Sequence, residues 1–457
     1  MLSSHYLSES KRLLTTAIPL VAAQLVQGSS GFVSTLMLAK LGANELAACG
    51  LVSFWFFTIL VVFWGMLGGT SVLTAHAYGA KKLEQIKKVI CQGMVFALLL
   101  IIPMLFSIWS ATWLIAKLNL QPNVIHLAIK YLWGMAWSIV PGTYLVLFEQ
   151  FLIGISKSRA VMFFSLISVP LTIAISYPLI FGKFNLPQVG IAGIGYGTAI
   201  AYTIVIIWML LYITRYKPFR RYLTVKRLFK IDIKLFAEFL RLGWPIGIIA
   251  GIDVCFFAVM AYLMGQLSST ALAAHQIVLQ YIGLMIMVAF GFMNATTVLI
   301  GQAMGRQDYG KIRIIGHVAL GTGILVTVVI GLGYGLFAKY LIGLDIDIHQ
   351  PANLPLLLLT TQLLVIAIFY QLGNTMRLIT QGALRGLKDT KLPMLFNLIS
   401  FWLIAFPISY WLAMKQHLHA AGLWWGITIG VSLGGMALVI RFQRLAGLTD
   451  KRQLVKE

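Results

Sequence analysis

Residues 240–265 read LRLGWPIGIIAGIDVCFFAVMAYLMG. About 20 apolar residues suffice for a helix to cross the hydrocarbon core of a bilayer, and this run is long enough. Asp253 sits near its middle. A carboxylate at that depth costs at least about 2.5 kcal/mol on insertion scales, so it is retained where it faces a cavity or a partner. Pro245, Gly247 and Gly251 precede it, and small residues with a proline make a helix that can bend and pack closely. We read Asp253 as a residue that takes up and releases a coupling cation. A structural acid tied to a neighbouring helix is the plainer alternative.

Outward from this stretch the chain keeps the same character. Of 457 residues, 60% are hydrophobic and only 11% charged, which excludes an ordinary soluble domain and predicts a polytopic helical membrane protein. Twelve spans are expected, at about 13–38, 46–75, 89–114, 127–155, 160–181, 189–213, 239–264, 272–303, 312–342, 355–386, 392–413 and 420–441. The first is too long for a signal-peptide core, so no cleavage is expected. Cys49, Cys91 and Cys255 lie in or beside apolar segments and read as buried hydrophobes rather than a disulfide or metal set. The net charge of +22 does not point to nucleic acid, because the basic residues flank the spans; topology and anionic membrane lipid account for them better.

Those basic residues also orient the chain. The termini and even-numbered connections hold 28 of the 35 Lys and Arg, against five on the opposite side. By the positive-inside rule both termini are expected in the cytoplasm. The long basic connection 214–238 divides the spans six and six. The expected domains are therefore an N-terminal six-helix lobe (1–213), a cytoplasmic linker (214–238) and a C-terminal six-helix lobe (239–457). An internal repeat supports the division: residues 13–88 align without a gap on 239–314, offset by 226, with 16 identities in 76 positions. Pro19 meets Pro245, Gly65 meets Gly291 and Gly79 meets Gly305. Further on, MFFSLIS at 162–168 echoes MLFNLIS at 394–400. Repeats of six spans start on the same side, so they are parallel repeats about an axis along the membrane normal, and such proteins commonly transport substrate between their halves.

The repeat sets Gln27 where the second half has Asp253, so the lobes differ chemically. Gln24, Gln27 and Ser34 of the first span either line a polar cavity or pack helices together. In the tenth span Asn374 and Arg377 are three apart, hence on one face. Arg377 lies nearer the cytoplasmic side than Asp253 but could reach it from a neighbouring helix; the alternative is snorkelling to the surface. Glu149, near the cytoplasmic end of the fourth span, reads as a gate or a lobe contact; a solvated helix end is the plainer alternative. His275, at the outer start of the eighth span, could titrate near neutral pH or simply bond across helices. No phosphate loop, zinc-type HExxH or strand pattern for a catalytic triad is present, so no catalytic residue, metal site or cofactor is expected. Without an ATP site, transport must draw on an ion gradient.

At IPLVAAQ (18–24), LGANELAA (41–48), LGWPI (242–246), LAAHQ (272–276), GQAMGRQD (301–308) and GALRGLKDT (382–390) the sequence resembles the multidrug and toxin extrusion (MATE) family, nearest its NorM-type bacterial branch. The resemblance runs over nearly the whole chain. It implies an all-α membrane protein of twelve transmembrane helices in two six-helix lobes related by pseudo-twofold symmetry (the MATE/MOP fold), arranged as a V. It also implies export of bulky, amphipathic, often cationic small molecules driven by H⁺ or Na⁺. Where the branch pattern has an acid on the first span, this chain has Ser34. On the seventh it has Asp253 in place of a glutamate. On the tenth Tyr370 is kept, but the acid four residues later is Asn374. A further asparagine on the eighth span appears as Gln280, and Arg377 stands where glutamine is usual.

The expectation is thus a secondary active exporter of the bacterial cytoplasmic (inner) membrane, multi-pass and monomeric, that exchanges a cation for an organic compound. Asp253, Asn374, Tyr370 and Arg377 would form the coupling site, and Gln24, Gln27, Ser34, Gln280 and His275 would line the substrate cleft. H⁺ is preferred over Na⁺, since only one of three family carboxylates is present. Two rival readings are a lipid-linked precursor flippase of the same superfamily, which would want several cations for pyrophosphate, and a membrane-embedded transferase, which would need convergent catalytic groups.

Overall fold

A computed structural model describes residues 2–117, 121–185, 187–215, 232–347 and 350–454; most of the predicted 214–238 connection, at 216–231, lies outside them. The described residues are helical and contain no strand. Twelve long helices follow one another: α1 (Leu2–Ala39), α2 (Ala43–Gly79), α3 (Leu83–Ala116), α4 (Pro122–Gly154), α5 (Ser158–Phe181) and α6 (Gly193–Arg215). Then come α7 (Ile233–Leu267), α8 (Ser269–Arg306), α9 (Tyr309–Leu336), α10 (Leu354–Gly386), α11 (Lys391–Lys415) and α12 (His419–Leu454). Eleven of them are long and apolar enough to cross a membrane. The exception is α1, whose Gln24, Gln27, Ser29, Ser30 and Ser34 dilute an otherwise apolar run. Large apolar side chains such as Trp109, Trp137, Phe163, Leu332 and Leu403 stand exposed on helix surfaces, as they do when the solvent is hydrocarbon.

The repeat is visible in backbone geometry. The α2–α3 and α8–α9 turns are each made by one residue in the left-handed region, Lys81 (φ 55°) and Gln307 (φ 61°), 226 positions apart. In each turn the next N–H bonds back to an alanine carbonyl, Lys82 to Ala77 and Asp308 to Ala303, both at 3.0 Å. That is how a chain leaving a helix satisfies the last carbonyls. The α4–α5 and α10–α11 turns match in the same way at Ser156 (φ 58°) and Lys388 (φ 62°), now offset by 232. The change of offset reflects the different lengths of the connections between α3 and α4 and between α9 and α10.

Two compact units result: Ala22–Gly247, and Met1–Val21 with Ile248–Glu457. The borders lie inside α1 and α7, at positions 226 residues apart, rather than in the 214–238 connection. Close glycine contacts give the reason. Within Ala22–Gly247, the start of α7 packs on α2, where a Cβ on Gly65 would come within 3.3 Å of Gly247 Cα. In the other unit, the start of α1 packs on α8, where a Cβ on Gly291 would come within 2.8 Å of the Val21 nitrogen. Position 65 corresponds to 291, and 21 to 247, so one contact is the repeat of the other. Bare backbone at such crossings lets helices approach closely, and the resulting van der Waals packing is one of the forces that associate helices in lipid.

The same rule yields a stability test. A Cβ on Gly382 of α10 would lie 2.4 Å from the backbone oxygen of Met293 on α8, whereas one on Gly321 of α9 meets nothing within 4 Å. Gly382→Ala should destabilise the protein by about 1–3 kcal/mol through overpacking and lower its thermal unfolding midpoint in detergent. Gly321→Ala should leave the midpoint unchanged or raise it slightly. Equal midpoints for the two variants would contradict the close α8–α10 packing.

Candidate functional site

The Ile248–Glu457 part of the structure gathers its polar residues around Asp253. From α10, the Arg377 guanidinium donates two bonds to the carboxylate, Nη1 to Oδ1 at 3.1 Å and Nη2 to Oδ2 at 2.8 Å. Asn397 of α11 donates from Nδ2 to Asp253 Oδ1 at 2.9 Å and accepts from Arg377 Nη1. Asn374, one turn before Arg377, accepts from its Nε at 3.2 Å and Nη2 at 2.8 Å. Gln381, one turn after it, donates to Asn397 Oδ1 at 3.2 Å. The Phe401 ring closes the shell, 5.0 Å from the guanidinium carbon. The Arg377 side chain is 3% exposed and that of Asp253 22%. Asp253 therefore keeps an open edge while the cation that balances it is enclosed. A bidentate guanidinium–carboxylate pair is the geometry in which two charges are best held out of water.

Local sequence accounts for the placement. Asn374, Arg377 and Gln381 recur at spacings of three and four, which puts them on one stripe of α10. Asn397 lies just before Ile399–Ala405, where α11 widens into π turns; such turns are frequent at functional sites because they re-aim nearby side chains. Tyr370 is buried, with its ring edge-on to Phe257 and Trp424 at 6.0 and 5.8 Å. It stands within electrostatic reach of both Asp253 and Arg377. Arg385, two turns beyond Arg377, also feels both charges, and its Nε has no hydrogen-bond partner among the described residues.

The other candidates are placed differently. Gln27 donates to Glu149 Oε1 of α4 at 2.9 Å and to Ser165 Oγ of α5 at 3.1 Å. Ser34 turns onto its own helix, bonding the Ser30 carbonyl at 2.9 Å. Gln24 is half-buried. Gln280 reaches Asp345 at 3.3 Å, beside the bond from the Tyr281 hydroxyl to the same carboxylate at 2.7 Å. His275 is fully buried against Trp424, ring centroids 5.6 Å apart, with neither imidazole nitrogen partnered among the described residues. The structure thus brings Asp253, Asn374 and Arg377 together, sets Tyr370 beside them, and leaves the cleft candidates dispersed. Sequence reasoning missed Asn397 and Gln381. The available signal was the MFFSLIS/MLFNLIS echo, in which Asn397 and its match Ser165 are the polar residues set inside the apolar core of the motif.

A model of the MatE family matches residues 19–178 and again 245–411. The two matches begin at Pro19 and Pro245, the repeat-related prolines. The chain belongs to the MatE family. Among its relatives, a protein described as "probable multidrug resistance protein NorM" from Synechocystis sp. is 31% identical over 96% of this chain and 95% of its own length. The multidrug resistance protein NorM of Burkholderia vietnamiensis is 32% identical over 93% and 92%. Among solved structures, an outward-facing multidrug resistance MATE transporter of the MOP superfamily superposes with a TM-score of 0.87 at 17% identity, over 96% of both chains. A eukaryotic MATE transporter does so at 0.85 and 18%, over 98% and 99%. At such identities the likeness shows a shared fold, and this MatE protein has that fold along nearly its whole length.

The pair makes a thermodynamic prediction. Removing one partner of a buried ion pair costs about 3–5 kcal/mol, whereas replacing both by neutral groups is often tolerated. Arg377→Ala should therefore lower the thermal stability of the purified protein markedly. The double variant Asp253→Asn, Arg377→Gln should recover most of the loss. If the double variant is as unstable as the single one, the charges are not what holds this cluster.

Proposed function

We propose that this protein is a secondary active multidrug efflux antiporter of a bacterial cytoplasmic membrane, with both termini cytoplasmic, exporting amphipathic organic compounds in exchange for protons. Family membership and the naming of its relatives as multidrug resistance proteins support the transport activity. The 28-to-5 distribution of Lys and Arg supports the orientation. The two repeats are read as the two lobes of the transporter.

The observation that carries the ion assignment is the bidentate Arg377–Asp253 contact. A sodium ion needs several oxygen ligands with net negative charge. Here both carboxylate oxygens already accept from Arg377, and the side chains around them are amides. A proton needs one acid and no coordination shell. With Asp253 ionised, α7 and α10 are tied by the pair. A proton arriving at the open edge of the carboxylate neutralises it, weakens the hold on Arg377 and loosens that tie. The unit then has two arrangements that a proton biases, which is what coupling requires. The flippase reading is less well supported: Arg377 is committed to Asp253, and Lys130 is exposed on its helix.

Asp253→Asn should abolish ion-driven export while the protein still folds and inserts. In a pump-deficient strain its expression should leave drug susceptibility at the level of the empty vector, and full resistance from a well-expressed variant would refute the coupling role. In inverted vesicles, substrate movement should follow an imposed pH gradient and ignore an imposed Na⁺ gradient. The opposite result would make sodium the coupling ion.

A further inference from the structure

The repeat relation exposes a second site. Through the α2–α3 and α8–α9 turns position 27 corresponds to 253. Through the α4–α5 and α10–α11 turns position 149 corresponds to 381, and 165 to 397. Two of the three contacts between equivalent positions recur, while the Gln27–Glu149 bond at 2.9 Å has no counterpart between Asp253 and Gln381 among the described residues. Asn397 bonds Asp253 at 2.9 Å, and Gln27 bonds Ser165 at 3.1 Å. Gln381 bonds Asn397 at 3.2 Å, and Ser165 bonds Glu149 at 3.5 Å. The surrounding packing repeats too: a Cβ on Gly154 would meet Thr74, and one on Gly386 would meet Ile300, with 154 related to 386 and 74 to 300. The fold therefore builds one three-helix polar node twice, from α1, α4 and α5 and from α7, α10 and α11. In the second node the acid sits on the first of its helices. In the first node that place is an amide, and the acid, Glu149, sits on the second.

The nodes differ in their cations. Arg377 corresponds to Leu145, which is apolar and buried. Glu149 is only 9% exposed, and among the described residues no Lys or Arg pairs with it. Its hydrogen bonds come from neutral groups and fall on one oxygen, Oε1: from Gln27 Nε2 at 2.9 Å and Ser165 Oγ at 3.5 Å. The titratable group that faces it is Tyr202 of α6. Elsewhere α2 and α3 meet α4 through Trp64, Thr74 and Met94, and through the titratable Cys49 against Tyr131, about five turns from Glu149 along α4. An ionised carboxylate enclosed with neutral donors and no counter-ion is strongly disfavoured; the economical compensation is a bound proton.

We propose that Glu149 is a proton-binding site, the counterpart in Ala22–Gly247 of Asp253 in the other unit. The proton resides on Glu149 while the node is closed around it, with Oε2 as the protonated oxygen and Oε1 the acceptor of Gln27. Rearrangement that admits water to the node releases the proton to that water and leaves the carboxylate solvated. Proton binding at Glu149 stands whether or not Asp253 couples transport. Only its consequence for stoichiometry rests on the antiport reading: the cycle would exchange one proton at each node.

The test is infrared difference spectroscopy of the purified full-length protein in lipid nanodiscs, titrated with acid and alkali. In the Asp253→Asn background, a protonated-carboxyl C=O band should be present at neutral pH and should vanish when Glu149→Gln is added. Glu149→Asp in the same background should keep a band at a shifted frequency, which guards against a loss caused by misfolding. A spectrum unchanged by Glu149→Gln would overturn the proposal, because the other buried acid among the described residues, Glu9, would then account for the band. So would the absence of a protonated band across the titration. In transport-competent vesicles, Glu149→Gln should reduce the proton-to-substrate ratio, read from the pH gradient that just balances a substrate gradient. An unchanged ratio with the infrared band lost would leave proton binding standing and overturn the stoichiometric consequence.

Discussion

A charge cannot be left alone in hydrocarbon, and the Asp253–Arg377 pair is where this chain meets that constraint most directly. The desolvation cost of each ion is several kcal/mol even after relaxation, so the pair persists only because its remaining donors and acceptors are met. Asn374, Asn397 and Gln381 do that work, each from a position set by helix periodicity or by the widened turns of α11. The glycine at 382, pressed against the Met293 carbonyl, brings α8 against the polar stripe of α10. Packing, polar satisfaction and the site are in this sense one problem solved once.

Duplication has preserved backbone and loosened chemistry. The left-handed turn residues, the glycine crossings and the glycine-against-β-carbon contacts coincide between halves. The polar side chains at the nodes do not. A fold held by backbone approach tolerates exchange of an amide for an acid, provided the node stays solvable as a hydrogen-bonding problem. That allows the carboxylate to occupy different corners of the same three-helix arrangement in the two units.

Much of this was legible in the sequence, and the limits have physical causes. Apolar runs and the flanking charge gave the spans, because bilayer thickness fixes their length. The first span was read too, at 13–38, although glutamine and serine lower the hydropathy of α1 below that of the other eleven. Asp253 stood out because a mid-membrane acid is costly, and Arg377 because a second intramembrane charge within reach is rare. Asn397 and Gln381 carry no charge, so neither disturbs hydropathy enough to attract notice. The Gln27–Glu149 bond joins residues 122 positions apart, and nothing local in either segment reports the other. Positional repeats can recover such contacts, but only once the turn geometry shows which offset applies to which helices.

The enclosure of Arg377 has an electrical consequence. As it stands the Asp253 node is a dipole with no net charge. A proton on Asp253 turns it into a site of charge +1, since the guanidinium does not titrate in proteins. One elementary charge crossing the full membrane field responds to it by about 2.3 kcal/mol per 100 mV. The part of the cycle that moves the protonated node through any fraction of that field would be sensitive to voltage, and the part that moves the neutral pair would not. On the proposed proton coupling, arginine in place of a neutral side chain would change more than the affinity of one acid for a proton; it would decide which half of the cycle feels the membrane potential.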